Sequence, residues 1–542
     1  MRGNGSALKV GMTMSEALEA AADSFSDAPA LVCGGERQTL REIRDASEVL
    51  ARALQLRGVR ATDRVAMLLP NGAPFVHAMF GICRLGAVAV PVDVRSTVNE
   101  LEELVASAGV VAIVVDQDQP LAGSSRSLES VAVELVGRER TLTFGDASRR
   151  ERVDGRSDLP DPGSVAASDA AVVFCTSGTT GRPKMVRHSH RTVIASTMGL
   201  HRLHAGFFDG TTRERVHRMA TVFRRHGLRL LQARGQQVWM TPIGFSSVSG
   251  QQVVLGALLG GHRLVTMRSF HPRVALELIQ AERVNILAAT PSMAELMLSV
   301  RGADSLDTSS MLIVGLGGGP VSPELAAAVR ERFRCGVGIG YGSTELGGGV
   351  LVSRLEDPVE VQTGTVGRPF PGAEVEVVDD RGAGVAEGHV GELRCRVPGS
   401  TDPGWYRTGD LASMDGRGNV RIVGRKSDMI VRGGQNVYPQ EIERVLELYP
   451  AIEKSAVVGV PGGPAGEQVW AFVTLREGST ATTREILGHC RERLTAYKVP
   501  DHLLVRATLP ATPEGKVQKF RLAEEAAASL GGRGGDVSSR PG

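Results

Sequence analysis

The chain has 542 residues, of which 42% are hydrophobic and 23% charged. That balance excludes a mainly disordered chain, and at roughly 150 residues per domain the length predicts two to four domains. With 62 Lys+Arg against 60 Asp+Glu the net charge is +2, so bulk attraction to nucleic acid has no support.

The six cysteines (33, 83, 175, 335, 395, 490) contain no C-x-x-C pair. No disulfide framework or structural zinc site is expected, and a cytoplasmic location fits. Met1–Ser6 leads into no apolar core, and no run reaches about 18 apolar residues, so neither a signal peptide nor a membrane span is expected. Only seven of the basic residues are lysine. Where lysine stands in so arginine-rich a chain, a compact ammonium is a candidate requirement. Lys184 and Lys516 both fall in glycine-containing loops.

In chain order, residues 12–57 read as helical, with apolar residues near i, i+4 and i+7. Strand-like runs follow at Arg64–Leu69, Ala87–Pro91 and Val110–Val115, with a helix at Pro74–Leu85. The alternation recurs from Arg263 to Phe333, predicting strands at 263–267, 286–289 and 311–314 and helices at 272–281, 292–300 and 323–333. Strands alternating with helices predict an α/β fold, a large N-terminal domain of helix-covered, mostly parallel sheets. Beyond about residue 360, Glu374–Val378 and Gly391–Val397 alternate as half-exposed antiparallel strands do. Residues 428–522 predict a small α+β unit: helix 439–448, strands 454–460 and 467–475, helix 482–494, strand 503–507. The expected domains are 1–426, a small C-terminal domain at 427–530, and a glycine-rich disordered tail at 531–542. Residues 187–234 hold ten arginines and six histidines against two acids, Asp209 and Glu214. That stretch is either a solvated face or a docking surface for an acidic partner.

Five segments carry chemistry. Phe174-Cys-Thr176-Ser177-Gly178-Thr179-Thr180-Gly181-Arg-Pro-Lys184 is a strand feeding a loop of hydroxyls, glycines and one ammonium, all suited to phosphate. It is not the ordinary G-x-x-x-x-G-K-[ST] phosphate loop. Gly317-Gly318-Gly319 and Gly336 to Glu345 allow close backbone approach to a flat ligand, with Tyr341 as an aromatic face and Glu345 as a hard oxygen for Mg²⁺. Taken alone, that glycine run also fits a tight turn. Trp405 to Asp410 places a carboxylate after a glycine, fit for a ribose or for an Asx-type turn. Gly424 to Glu443 and Leu509 to Val517 complete the set, the latter carrying Lys516 after Pro-Glu-Gly.

In this order and spacing the five segments resemble the adenylate-forming superfamily of acyl- and aryl-CoA synthetases, peptide-synthetase adenylation domains and beetle luciferases. The resemblance covers roughly residues 12–522, and Gly433 to Glu443 is most similar to the CoA-ligase branch. It implies an enzyme that makes an acyl-adenylate and pyrophosphate from a carboxylic acid and Mg·ATP. A thiol of CoA, or of a carrier-protein phosphopantetheine, then displaces AMP after the lid rotates. The resemblance places Thr176 to Lys184 on the β- and γ-phosphates, and Gly317, Gly318, Gly319, Tyr341, Gly342 and Ser343 around the adenine nucleotide. Thr344 falls on the α-phosphate, Glu345 on Mg²⁺, and Asp410 and Arg425 on the ribose. Lys516 falls between carboxylate and α-phosphate, Gly433 and Gly434 along the pantetheine path, and Ser427 at the domain pivot with Lys426 second. Phe245, Ser246, Ser247, Gly315 and Gly340 are the candidate acid pocket.

Two departures stand out. Relatives often carry Pro-Leu-Phe-His where this chain has Thr241-Pro-Ile-Gly-Phe-Ser-Ser-Val-Ser-Gly250, longer and without the histidine. The pivot, often Asp or Lys, is Ser427. The first leaves an alternative acceptor open, an amine or other nitrogen nucleophile. A non-catalytic adenylate-binding protein is a third reading, against which the intact motifs argue. The small residues Gly315, Gly317, Gly340 and Gly347–Gly349 favour an aromatic or medium-to-long acid over acetate. No acidic pocket residue matches an amino-acid specificity code.

Overall fold

A computed structural model describes residues 8–9, 11–25, 27–116, 127–144, 159–177, 183–205, 211–213, 216, 220–221, 223–224, 236–400, 404–432, 435–462, 466–511 and 517–531. Their packing divides into two units, residues up to 375 with 395–406, and residues 376–394 with 407 onward.

The first unit holds two sheets. One has six strands in the order Thr141–Phe144, Val110–Asp116, Arg64–Leu68, Val88–Pro91, Ala170–Ser177, Pro183–Ser189. All neighbours are parallel except the last pair, an antiparallel hairpin. The other has nine strands, with a parallel centre running Gly336–Ser343, Ile313–Leu316, Ile286–Ala289, Val238–Met240, Arg263–Thr266, Pro29–Cys33. The α/β class expected from the alternation is observed.

Residue parity decides which core each side chain enters, because successive strand residues point to opposite faces. Val65, Met67, Ala112 and Val114 join one core with Phe75, Phe80, Trp239 and Leu258. Their neighbours Ala66, Leu68, Ile113 and Val115 join another, with Leu101, Leu104 and Val131. Burial on both faces is why these strands read as continuous apolar runs rather than alternating ones. Helix Ala73–Arg84 is buried nearly all round and lies close against helix Leu40–Leu56. A β-carbon at Gly81 would stand 2.7 Å from the Ser47 carbonyl oxygen.

One expectation is corrected. Residues 12–57 are not continuously helical: helices Met14–Ser24 and Leu40–Leu56 flank a hairpin, Pro29–Cys33 paired with Glu36–Thr39. Gly34 and Gly35 form its turn at φ +59° and +86°, the doubly left-handed geometry that Gly-Gly supplies. Gly336–Ser343 is likewise a strand within the sheet, not a tight turn.

The second unit contains the antiparallel pair Tyr406–Met414 and Val420–Arg425 and the ribbon Ile430–Arg432 with Gln435–Val437. A three-stranded sheet of Ile452–Pro461, Glu467–Leu475 and His502–Arg506 follows. Parity again splits the sides: Val469, Ala471 and Val473 face helices Pro439–Glu447 and Thr483–Arg493, whereas Trp470 and Phe472 pack with Leu522 and Ala526 of helix Lys519–Gly531. Among the described residues no helix is long and apolar enough to cross a membrane. The tail expectation for 532–542 lies outside the described residues.

Candidate active site

The Ala170–Ser177 and Pro183–Ser189 hairpin sets Thr176 opposite Lys184 and Ser177 opposite Pro183. The tip, with Gly178, Thr179, Thr180 and Gly181, lies outside the described residues. Lys184 projects from the hairpin, 57% exposed, and its Nζ donates to Glu345 Oε1 at 2.9 Å. These two residues are 161 positions apart. Burial pushes the Glu345 carboxyl up, but hydrogen bonds from Lys184, the backbone and Ser343, with the Lys184 charge, hold it below the usual carboxylate value. The Glu345 hydrogen bond in turn raises the Lys184 ammonium.

Glu345 sits in the turn after strand Gly336–Ser343. The Leu346 N–H donates to the Ser343 carbonyl and the Gly347 N–H to the Thr344 carbonyl. The returning strand Gly348–Val352 crowds this edge. Gly342 lies opposite Gly349 across a register shift, and a β-carbon on Gly342 would fall 2.0 Å from the Gly348 oxygen. Glycine is therefore required at 342 by close approach. Tyr341 is half-buried one residue earlier.

Strand Ile313–Leu316 ends in Gly317–Gly319, and the Gly317 N–H donates to the Ala289 carbonyl. Gly318 has φ +81°, open to glycine without strain. Gly315 lies opposite Gly338 in the next strand, and Gly317 lies against the Gly340 carbonyl, at 3.3 Å from its own would-be β-carbon.

In the other unit, Asp410 and Arg425 are direct cross-strand partners, and Arg425 Nε donates to Asp410 Oδ1 at 3.0 Å. Next to them Lys426 Nζ donates to Asp380 Oδ1 at 2.7 Å and Glu392 Oε2 at 3.2 Å. Ser427 is exposed in the short turn Lys426–Asp428, where its hydroxyl donates to Asp428 Oδ1 at 2.8 Å. Gly433, Gly434 and Lys516 lie outside the described residues.

The chain matches the family described as AMP-binding enzyme over residues 18–403, and the AMP-binding enzyme C-terminal domain over residues 441–516. It belongs to the AMP-binding enzyme family. Triostin synthetase I of Streptomyces triostinicus is 31% identical over 537 residues, spanning 95% of this chain and 94% of that protein. Feruloyl-CoA synthase of an Amycolatopsis species is 30% identical over 507 residues, spanning 90% and 93%. The solved structure of amide bond synthetase McbA from Marinactinospora thermotolerans has TM-score 0.76 and 26% identity, covering 94% of this chain and 99% of that one.

In this AMP-binding enzyme the pocket candidates divide. Phe245 is fully buried, edge-on to Phe75 at 5.6 Å, and its N–H donates to Asn71 Oδ1. Ser247 caps helix Val248–Leu259, accepting from the Gly250 N–H and donating to the Gly244 carbonyl at 2.7 Å. Both are occupied in building the helix start, and Ser246 stands half-buried between them.

Three supporting residues escape a motif reading. His188 Nε2 donates to the Thr344 carbonyl at 2.7 Å. Ser196 Oγ donates to the Gly347 carbonyl at 2.8 Å. The Gln252 amide donates to Ser196 Oγ and the Gly349 carbonyl and accepts from the Gly349 N–H. Together they pin the backbone of 344–349. Burial lowers the His188 imidazole below its ordinary value against the Thr344 hydrogen bond and the Glu345 charge. The six histidines of 187–234 were the only sequence signal for it.

Proposed function

We propose that this protein is an AMP-forming acid–CoA ligase. A carboxylate oxygen attacks the α-phosphorus of ATP, the bond to the bridging β-oxygen breaks, and pyrophosphate leaves. The CoA thiol then attacks the acyl carbon, losing its proton, and AMP departs. The observation that carries the reading is the meeting of Lys184 and Glu345 at 2.9 Å, which joins the hydroxyl-rich hairpin to the turn after the glycine strand. The family match and the likeness to feruloyl-CoA synthase support it.

Within this reading Thr176, Ser177, Gly178, Thr179, Thr180, Gly181 and Lys184 take the β- and γ-phosphates. Gly317–Gly319 and Tyr341–Ser343 bracket the nucleotide, Thr344 contacts the α-phosphate, and Asp410 with Arg425 holds the ribose. Glu345 is a half-buried carboxylate kept ionised, a donor that fits Mg²⁺, a metal usually held by one or two carboxylates plus substrate phosphates. Held there, Mg²⁺ would neutralise phosphate charge. Attack of carboxylate on triphosphate sets anion against anion, and Lys516, carried on the C-terminal lid of residues 427–530, relieves that repulsion. The lid turns about Ser427, with Lys426 the second candidate. The free thiols and the ATP and CoA substrates suit a cytoplasmic enzyme. A carrier-protein phosphopantetheine is the alternative thiol, for which the arginine-rich stretch 187–234 supplies docking charge. Arg224 is exposed there, while Arg225 and Arg229 lie outside the described residues.

The histidine-free segment 241–250 and the likeness to an amide bond synthetase favour one second reading, transfer to an amine. Incubation with ATP, Mg²⁺ and a carboxylic-acid library, with CoA, with an amine, or with neither, decides. Pyrophosphate release with thioester formed only from CoA supports the ligase. Amide without thioester supports the second reading, and no pyrophosphate from any acid refutes both.

A further inference from the structure

A narrow cleft lies in the N-terminal unit, about 260 Å³ only when the open solvent within it is counted, with Phe174, His188, Val248, Gln251, Leu255 and Gly347 in its wall. Gly347 stands two residues beyond Glu345, so the cleft adjoins the proposed reaction centre. Its other polar side chains are committed. His188 serves the Thr344 carbonyl, Ser196 the Gly347 carbonyl, Thr197 the Val193 carbonyl, and Gln252 both Ser196 and Gly349.

Gln251 differs. It is only 3% exposed, and its side-chain Nε2 is buried without a hydrogen-bond partner among the described residues. Its backbone N–H is spent on the Ser247 carbonyl in the first turn of the helix. A buried amide donor left unpaired is unfavourable, and each such group in a folded protein calls for a reason. Helix formation gives none, because Leu or Met fills a similar volume with better packing and no polar penalty. The neighbouring Phe174, Val248 and Leu255 offer the amide nothing.

We infer that Gln251 is a specificity-determining residue. Its Nε2 donates a hydrogen bond to an oxygen carried on the non-reacting part of the acid, a hydroxyl, ether or carbonyl. The substrate class is then oxygen-substituted carboxylic acids rather than plain alkanoates or unsubstituted aryl acids. The inference rests on the acid-activation reading above. The cleft is tight, so it seats one such substituent against apolar walls, with the carboxylate towards Thr344.

The test is pyrophosphate release by the full-length protein with matched acids differing by one oxygen. Suitable pairs are cinnamate with 4-hydroxycinnamate, 4-hydroxycinnamate with its 3-methoxy derivative, and octanoate with 8-hydroxyoctanoate and 7-oxooctanoate. Wild type should favour the oxygen-bearing member of at least one pair by about 10-fold or more in kcat/KM, since a site built to hydrogen-bond a group rejects the analogue lacking it. Gln251→Leu should erase that preference through loss on the oxygenated acid alone. Gln251→Met reads out the same effect where the leucine variant fails to fold. Pyrophosphate release with no preference in any pair, or a preference that survives both variants, overturns this inference alone. No release with any acid overturns it together with the ligase reading.

Discussion

Two histidines make the N-terminal unit acid-sensitive in a calculable way. His77 is buried in helix Ala73–Arg84, bonded through Nε2 to Gln38 Oε1 at 2.9 Å and stacked on Phe144. His190 is fully buried, and its Nδ1 accepts the N–H of Met14 at 3.2 Å, at the start of helix Met14–Ser24. Burial lowers both imidazoles to about 4; for His190 the charges of Asp169 and Glu16 oppose this without cancelling it. In the unfolded chain both return to about 6.5. The unfolded state therefore binds more protons between pH 6.5 and 4. The stabilisation from burying neutral imidazole is complete above pH 6.5 and is lost as the pH falls towards 4. Linkage puts the loss at pH 5 at roughly 2 kcal/mol per histidine, roughly 4 together. That is a large part of a usual 5–15 kcal/mol stability.

Urea unfolding from pH 7.5 to 4.5 measures it. Trp239 lies buried in this unit, and a Trp405→Phe, Trp470→Phe background confines the fluorescence signal to it. His77→Gln keeps a side-chain donor and His190→Asn an acceptor, without the titration. Each should be less stable than wild type at pH 7.5 but should flatten the pH 5–7 slope by about half, and the double variant should remove most of it. A wild-type stability level between pH 7.5 and 5, or a slope unchanged in the double variant, would refute the reasoning.

Glu345→Gln should leave the thermal midpoint within a degree or two, because a part-exposed ion pair contributes at most about 1 kcal/mol, while raising the Mg²⁺ needed for pyrophosphate release; unchanged Mg²⁺ dependence would remove Glu345 from the metal. Lys516→Ala should slow adenylation about 10²–10³-fold yet spare thioester formation from supplied acyl-adenylate, and equal loss in both steps would count against its assignment. Ser427→Pro, which fixes φ near −65°, should leave pyrophosphate release measurable and nearly abolish transfer to the thiol at an unchanged melting temperature; parallel loss of both steps would mean that Ser427 only shapes a turn. Gly342→Ala, which puts a β-carbon 2.0 Å from the Gly348 oxygen, should cost about 1–3 kcal/mol and most of the adenylation rate; a variant with wild-type midpoint and rate would show that the hairpin yields.

The class of the fold was legible because strands buried on both faces carry unbroken apolar runs, and helix ends such as Pro323 and Phe333 match their predicted positions. The hairpin Pro29–Thr39 was missed although two local signals mark it. Gly34-Gly35 is a two-residue turn, and Thr39 with Glu42 forms the capping box of a new helix, each binding the other's backbone N–H. Helical spacing on both sides outweighed them. The strand Gly336–Ser343 was hidden for the opposite reason. Glycine is a poor strand former, and here it marks places where another backbone comes close, as at Gly338, where a β-carbon would stand 3.3 Å from the Ser353 carbonyl oxygen. Motifs named Glu345 and Lys184, but no spacing rule could show that His188, Ser196 and Gln252 converge on one turn, since that depends on which helices lie against it.

The contrast between that turn and its charged residues bears on how the site works. The backbone of 344–349 is held by buried groups: His188 on one carbonyl, Ser196 on another, Gln252 on the N–H and carbonyl of Gly349. Gly348 at φ +126° leaves no room for a side chain beside Gln252, whose Oε1 would lie 2.7 Å from a β-carbon. Buried hydrogen bonds of this kind are costly to leave unmade, so the turn stays fixed. The Lys184–Glu345 pair is different, with side chains 57% and 24% exposed. Water competes for both, and little free energy is lost when they part. The fold thus spends its rigid contacts on placing the Thr344 and Glu345 backbone and leaves the two opposite charges ready to exchange partners. An anionic phosphate for Lys184 and a cation for Glu345 are the exchange that the proposed adenylation requires, and neither demands that the backbone move.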